Sequence, residues 1–199
     1  MRHFQQIASG IDVSGVMAEL ADDPSLWNEH QIRRTAPGTP HRASSDLWCR
    51  FNDVRPFEAG TRPWSEFNDQ HIPINYRAWS ALPSLRKITF DLMRQVEAEG
   101  LYGVLITKIP PGGRIEPHRD ASWHVSFTDK FYLSLQSAPG AVFCCDHDGA
   151  REELNPEPGQ IWLFDNRRLH WVENNSTEDR ITAIICLRTE MFGRHLGEN

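Results

Sequence analysis

The sequence predicts a mainly-β protein, a jelly roll or double-stranded β-helix backed by N-terminal helices. After Gly100 the chain breaks into short apolar or alternating runs, among them YGVLITKI, FYLSLQS, AVFCCD, QIWLFDN and RITAIICLR, punctuated by Gly, Pro and Asn. With REELN, HWVEN and the short polar stretch around PHRD, this makes about eight strands, a pattern of closely spaced strands that belongs to sandwiches and barrels. A length of 199 residues, with 39% hydrophobic and 24% charged, is enough for one buried core and is neither membrane-like nor disordered in composition.

Taken in order, residues 1–78 read as an N-terminal, substrate-side arm of the same domain. VSGVMAELADDP holds one short helix closed by Pro24. Residues 31–77 mix Pro, Gly, Arg and Trp, with little periodicity beyond DLWCRF. A long irregular segment of this kind inside a compact domain is usually functional or mobile. From Trp79 to Glu99, Leu85, Ile88, Leu92 and Val96 recur at helical spacing and Gly100 stops them, which gives the core of residues 79–199 a supporting helix over 79–99.

Composition narrows the partners. A formal charge of −6 lacks the excess of Lys and Arg that phosphate contacts require, which disfavours nucleic acid. No run approaches the ~20 apolar residues that span a bilayer, and MRHFQQIASG has no signal-like apolar segment, so the expected location is the cytoplasm. Cys144 and Cys145 are adjacent, while Cys49 and Cys186 stand alone. These are expected to be buried, reduced thiols rather than a disulfide framework.

The chemistry concentrates in GGRIEPHRDASWH, residues 112–124. Gly112 and Gly113 make a turn, and on an extended strand His118 and Asp120 face the same way while Arg119 faces away. An imidazole beside a carboxylate suits a divalent transition metal, and one more histidine completes a 2-His-1-carboxylate facial triad. His170, 50 residues beyond Asp120, supplies it from a strand distant in sequence. Ten residues later Arg180 opens the apolar run RITAIICLR, where a buried guanidinium needs an anion, and a carboxylate meets it bidentately. Thr182 faces the same way and adds a hydroxyl. The plainer alternatives are a turn role for Asp120 and a surface ion pair of Arg180 with Glu178 or Glu173. His124 is read as a pocket or substrate contact, not a ligand. His147 is read as a hairpin-turn residue, and Asp165 and Asn166 as a turn that aims His170.

His118-x-Asp120, the distal His170 and Arg180-x-Thr182 together resemble the jelly-roll Fe(II)- and 2-oxoglutarate-dependent dioxygenases. LITKIPPGGRIEPHRD and PGQIWLFDNRRLHWVENNSTEDRI are similar to the aspartyl/asparaginyl β-hydroxylase group, to which bacterial proline 3-hydroxylases are also similar. The resemblance spans residues 79–190. It implies Fe(II) on His118, Asp120 and His170, the distal carboxylate of 2-oxoglutarate on Arg180, a cosubstrate contact at Lys130, and O2 as oxidant. The activity implied is hydroxylation of an sp3 carbon of an amino acid, free or within a peptide. Some β-hydroxylases lack the metal carboxylate, so Asp120 brings this chain nearer the proline hydroxylase variant.

In the arm, Arg33, Arg34, Arg42, Arg50, Arg55 and Arg62 form a basic stripe whose default is a solvated face. The sharper expectation is that Arg50, centred in LWCRFND, meets a substrate carboxylate. Trp48, Trp64, Trp79 and Trp123 are placed on the substrate side, whereas Trp162 and Trp171 are core packing. Two other functions fit less of the pattern: a nucleic-acid or nucleoside oxygenase on the same scaffold, and a non-catalytic cupin-like module that binds a metal or small ligand.

Overall fold

In the computed structural model, which describes residues 3–69, 72–121, 123–147 and 149–189, the chain forms a two-sheet sandwich with helices against one outer face. The larger sheet has seven strands, ordered β1 (Phe4–Ala8), β9 (Ile161–Phe164), β6 (Asp129–Gln136), β11 (Arg180–Arg188), β4 (Gly100–Ile109), β2 (Ser45–Asn52) and β3 (Pro73–Asn75). The smaller sheet has four: β5 (Arg114–His118), β10 (His170–Asn174), β7 (Ala141–His147) and β8 (Ala150–Leu154). Pairing is antiparallel throughout. The strands from Gly100 onward follow the runs expected from sequence.

Strand alternation sorts the side chains of the large sheet. On β11, Ile181, Ala183, Ile185 and Leu187 join a core with Phe131, Leu133, Val104 and Ile106, covered by α1 (Ser14–Asp22) and α5 (Pro83–Gln95). The opposite faces of the two sheets enclose a second core in which Phe4, Phe143 and Phe164 pack at centroid distances of 5.2, 5.0 and 4.8 Å. Phe131 is fully buried between the large sheet and its helices. Phe131→Ala is expected to destabilise the fold by roughly 3–5 kcal/mol, read as a lower urea midpoint, because the packed core closes only partly over the vacated volume.

The helix expected over 79–99 is two helices. Leu82 precedes Pro83, whose ring disfavours a helical residue before it and starts a new first turn, so α4 (Arg77–Ala81) ends and α5 begins there. Trp79 belongs to the helix-side core and packs on Phe90, so its expected substrate-side place is corrected. The arm is also more ordered than its composition suggests. It holds α2 (Ile32–Thr35), α3 (Arg55–Glu58) and three strands of the large sheet, β1, β2 and β3, with an aromatic cluster of Trp48, Phe51, Phe57, Phe67 and Tyr76. All four cysteines are buried free thiols.

Candidate active site

The turn into the ligand strand needs its glycines. Gly112 sits at φ +72°, and a Cβ on Gly113 would come within 2.9 Å of the Pro110 carbonyl oxygen. β5 then runs antiparallel to β10, in a register that sets His118 directly opposite His170. Their rings lie 4.3 Å apart, and Phe143 and Phe164 wall His170 at 5.9 and 5.2 Å. β5 ends at His118, so Asp120 stands just past the strand. It is held there by its backbone N–H, which donates to the Asn166 carbonyl at 3.0 Å.

His118, Asp120 and His170 each offer a ligand atom within 4.8 Å of the others. The arrangement around them is directional. His118 Nδ1 lies 2.7 Å from the Glu116 carbonyl and His170 Nδ1 lies 2.8 Å from the Arg168 carbonyl. Each contact fixes Nδ1 as the protonated nitrogen and leaves Nε2 as the ligand atom. On Asp120, Oδ2 accepts from Lys130 Nζ at 2.5 Å and from Asn166 Nδ2 at 2.7 Å. Oδ1 faces His118 Nε2 at 3.4 Å, which leaves one carboxylate oxygen for a cation.

Electrostatics keep His170 and Asp120 in ligand form. Burial pushes His170 down to about 4, against the opposing pull of Asp120. Burial alone would raise the Asp120 carboxyl, but Lys130 and the nearby His118 and His170 hold it well below the usual carboxylate range. A neutral imidazole in the folded state makes stability pH-dependent. The unfolded chain takes up the proton first, so the contribution of His170 is complete above about 6.5 and is lost as pH falls from there to about 4. The unfolding free energy of the metal-free protein is expected to fall across that window with a limiting slope of about 1.4 kcal/mol per pH unit, read as a lower thermal midpoint. A midpoint that stays flat there contradicts this assignment.

The group opens into a cavity of about 480 Å3 between the sheets, with the arm as one wall. Arg180 and Thr182 line it from β11 as expected, and Arg180 pairs with neither Glu178 nor Glu173. Both are buried, and Arg180 Nε and Thr182 Oγ1 have no hydrogen-bond partner. Burial brings the guanidinium down to about 10. A buried cation beside an unused hydroxyl is a receptor for a ligand oxyanion. Lys130 lines the cavity too, although its ammonium is taken up by Asp120. His124 is buried, lines the cavity and packs on Phe51 at 4.9 Å.

Arg50 is the residue displaced from expectation. A bulge in β2 sets Trp48 opposite Leu105 and Arg50 opposite Val104, so strand parity flips after Trp48. Trp48 and Phe51 line the cavity, but Arg50 does not, and its guanidinium is bound by the Leu101 carbonyl and Asn75 Oδ1 at 3.0 and 2.6 Å. Trp64 lines the cavity, whereas the side chain of Trp123 lies outside the described residues. Of the residues expected only to shape a turn, Asp165 bonds Arg167, while Asn166 buttresses the metal carboxylate. His147 ends β7 beside the hairpin, and its side chain also lies outside the described residues. Asn166→Ala should weaken Mn(II) binding roughly 10–100-fold by calorimetric titration, the usual cost of losing an outer-shell partner. Unchanged affinity would refute its buttressing role.

The sequence profile of the aspartyl/asparaginyl beta-hydroxylase family matches residues 40–189, a stretch that includes the three ligand candidates, Arg180 and Thr182. The chain belongs to this family. A comparison with curated proteins gives no match. Among solved structures, the chain is similar to a prolyl hydroxylase from Trichoplax adhaerens, in complex with a hypoxia inducible factor oxygen degradation domain peptide fragment. The TM-score is 0.58 at 14% identity, over 94% of this chain and 84% of that one. It is likewise similar to a Pseudomonas putida prolyl-4-hydroxylase, with a TM-score of 0.51 at 14% identity over 96% and 95% of the two chains. A viral collagen prolyl hydroxylase from Paramecium Bursaria Chlorella virus-1, in complex with 2OG, gives 0.53 at 12% identity over 95% and 97%. At these identities the likeness establishes the shared jelly-roll fold. No helix among the described residues is long and apolar enough to cross a membrane.

Proposed function

We propose that this protein is an Fe(II)- and 2-oxoglutarate-dependent dioxygenase that hydroxylates an sp3 carbon of an amino acid, free or within a peptide. The observation that carries the reading is the pairing of a convergent His118–Asp120–His170 group with a buried, unpartnered Arg180 in one cavity. A purely structural metal site has no use for a carboxylate receptor beside it. Family membership and the prolyl hydroxylase likeness support the same class. A cytoplasmic setting goes with this proposal, supported by four buried cysteine thiols with no disulfide.

The donor set fits the cofactor. Two imidazoles and one carboxylate oxygen are the ligand types of a facial iron site, leaving positions for a chelating cosubstrate and oxygen. Once bound, iron with 2-oxoglutarate and O2 supplies C–H hydroxylation coupled to release of succinate and CO2. The chain's own part is placement. The Glu116 and Arg168 carbonyls aim the two imidazoles, while Lys130 and Asn166 hold Asp120 by one oxygen. Arg180 would take the distal carboxylate of 2-oxoglutarate, with Thr182 beside it. Tyr132, Phe143 and Val172 line the space around His170 and keep it apolar.

The test is to supply Fe(II), 2-oxoglutarate and oxygen with a pool of free amino acids and short peptides. Succinate should form together with a product heavier by one oxygen atom. No succinate under any condition would overturn the proposal.

A further inference from the structure

We infer that the arm wall of the cavity reads a carboxylate on the prime substrate, through the Arg33 guanidinium and the Trp48 indole N–H. The inference rests on the oxygenase reading for what is done to the substrate, but not for what is bound. Arg33, on α2, lines the cavity, and its Nη1 donates to Asp46 Oδ1 at 2.6 Å. Asp46 is itself buried on β2, with its backbone N–H held by Asn28 Oδ1 at 3.1 Å and Thr107 Oγ1 at 3.4 Å from its carboxylate. One arm of the guanidinium fork is therefore fixed, which orients its remaining donors. Trp48 stands two residues along the same strand, lines the cavity and is only 4% exposed, and its indole nitrogen has no partner.

Both groups can only donate hydrogen bonds, so the ligand atoms they bind must accept. A carboxylate satisfies both, and its negative charge suits the guanidinium. The cavity's charge points the same way. Arg33, Arg119, Lys130 and Arg180 line it, against Asp120 as the one lining acid among the described residues; Arg119 was expected to face away, but β5 ends at His118 and strand alternation does not reach it. Asp120 is already engaged by Lys130 and Asn166, while Asp46, engaged by Arg33 through Oδ1 with its Oδ2 unpartnered, does not line the cavity. No lining carboxylate is thus left to pair with a substrate ammonium. Beside the two donors, Phe51, Trp64 and Phe67 form an apolar wall, with Trp64 stacked on Phe67 at 4.5 Å. The substrate class that fits is a compact, apolar molecule with a free carboxylate. It enters from the arm, on a different wall from the β11 receptor at Arg180.

The experiment measures equilibrium binding without oxygen, on protein loaded with Mn(II) and 2-oxoglutarate. The probes are small apolar amino acids and their N-acyl derivatives, each as the free acid and as the primary carboxamide. Acids should bind about tenfold or more tightly than their amides, the scale of one charge-assisted hydrogen bond. Arg33→Gln should bring that ratio close to one. Trp48→Phe, which keeps the ring and removes only the N–H, should lower it by about threefold, the low end for one hydrogen bond. The second variant decides the matter should loss of Arg33 strand Asp46 and unfold the chain. Equal binding of acids and amides by the wild type overturns the inference, as does a preference that survives both substitutions. So does an Arg33→Gln effect that falls on 2-oxoglutarate affinity instead of on the acids. Wild-type protein that shows the preference but forms no succinate with Fe(II), 2-oxoglutarate and oxygen overturns the oxygenase reading alone.

Discussion

Replacing His170 with alanine is expected to remove high-affinity metal binding and abolish succinate formation while the β-sandwich stays folded. His170 faces His118 across the β5–β10 pair, and the ligand atoms of His118, Asp120 and His170 gather within 4.8 Å. Two remaining ligands hold a divalent ion far more weakly than three. The loss should therefore exceed the roughly 10–100-fold that follows removal of an outer-shell partner. Circular dichroism and a urea transition separate this outcome from unfolding. Because the folded state keeps His170 neutral at the expense of desolvation, the alanine variant should also lose the acid-side drop in stability between about pH 6.5 and about pH 4. Full turnover in this variant would show that iron, if bound at all, sits elsewhere.

Arg180→Met should act in opposite directions on stability and on binding. The guanidinium is 3% exposed, its Nε has no partner, and burial lowers its proton affinity. In the ligand-free protein it is an uncompensated buried charge, and a methionine of similar length removes that cost while keeping contacts along β11. The ligand-free variant is expected to melt higher than wild type. Its affinity for 2-oxoglutarate should fall by roughly 2–5 kcal/mol, about 30-fold to several thousand-fold, because truncating one partner of a buried charge pair also leaves the ligand carboxylate unpaired. Unchanged 2-oxoglutarate affinity would remove Arg180 from the site and with it the argument that joins the metal group to a cosubstrate.

The parts of the site legible in the sequence are those governed by strand alternation. Arg180 and Thr182 share a face because a strand repeats every two residues, and β11 keeps that repeat from Arg180 to Cys186 against β4. His170 was legible as a ligand because the His118–Asp120 pair asks for one more histidine from a strand distant in sequence. What alternation does not carry is register. The β2 bulge reversed the parity of Arg50, so the arm cation at the cavity is Arg33, which sits on a four-residue helix that no periodicity announces. Asn166 was visible only as a turn residue, because its bond to Asp120 spans 46 positions and joins two loops. Trp79 departs from its expected place for a local reason: the spacing of Leu85, Ile88 and Leu92 shows a helix but not that Pro83 starts it anew and separates it from α4, which carries Trp79.

The most direct measurement is a crystal structure of the protein grown without oxygen in the presence of Mn(II) and 2-oxoglutarate. The account predicts one metal ion bonded to Nε2 of His118, Nε2 of His170 and a single Asp120 oxygen, with the distal carboxylate of 2-oxoglutarate on Arg180 and Thr182. A metal bound away from these three residues, or a cosubstrate carboxylate resting on Arg33 with Arg180 left unpaired, would contradict it.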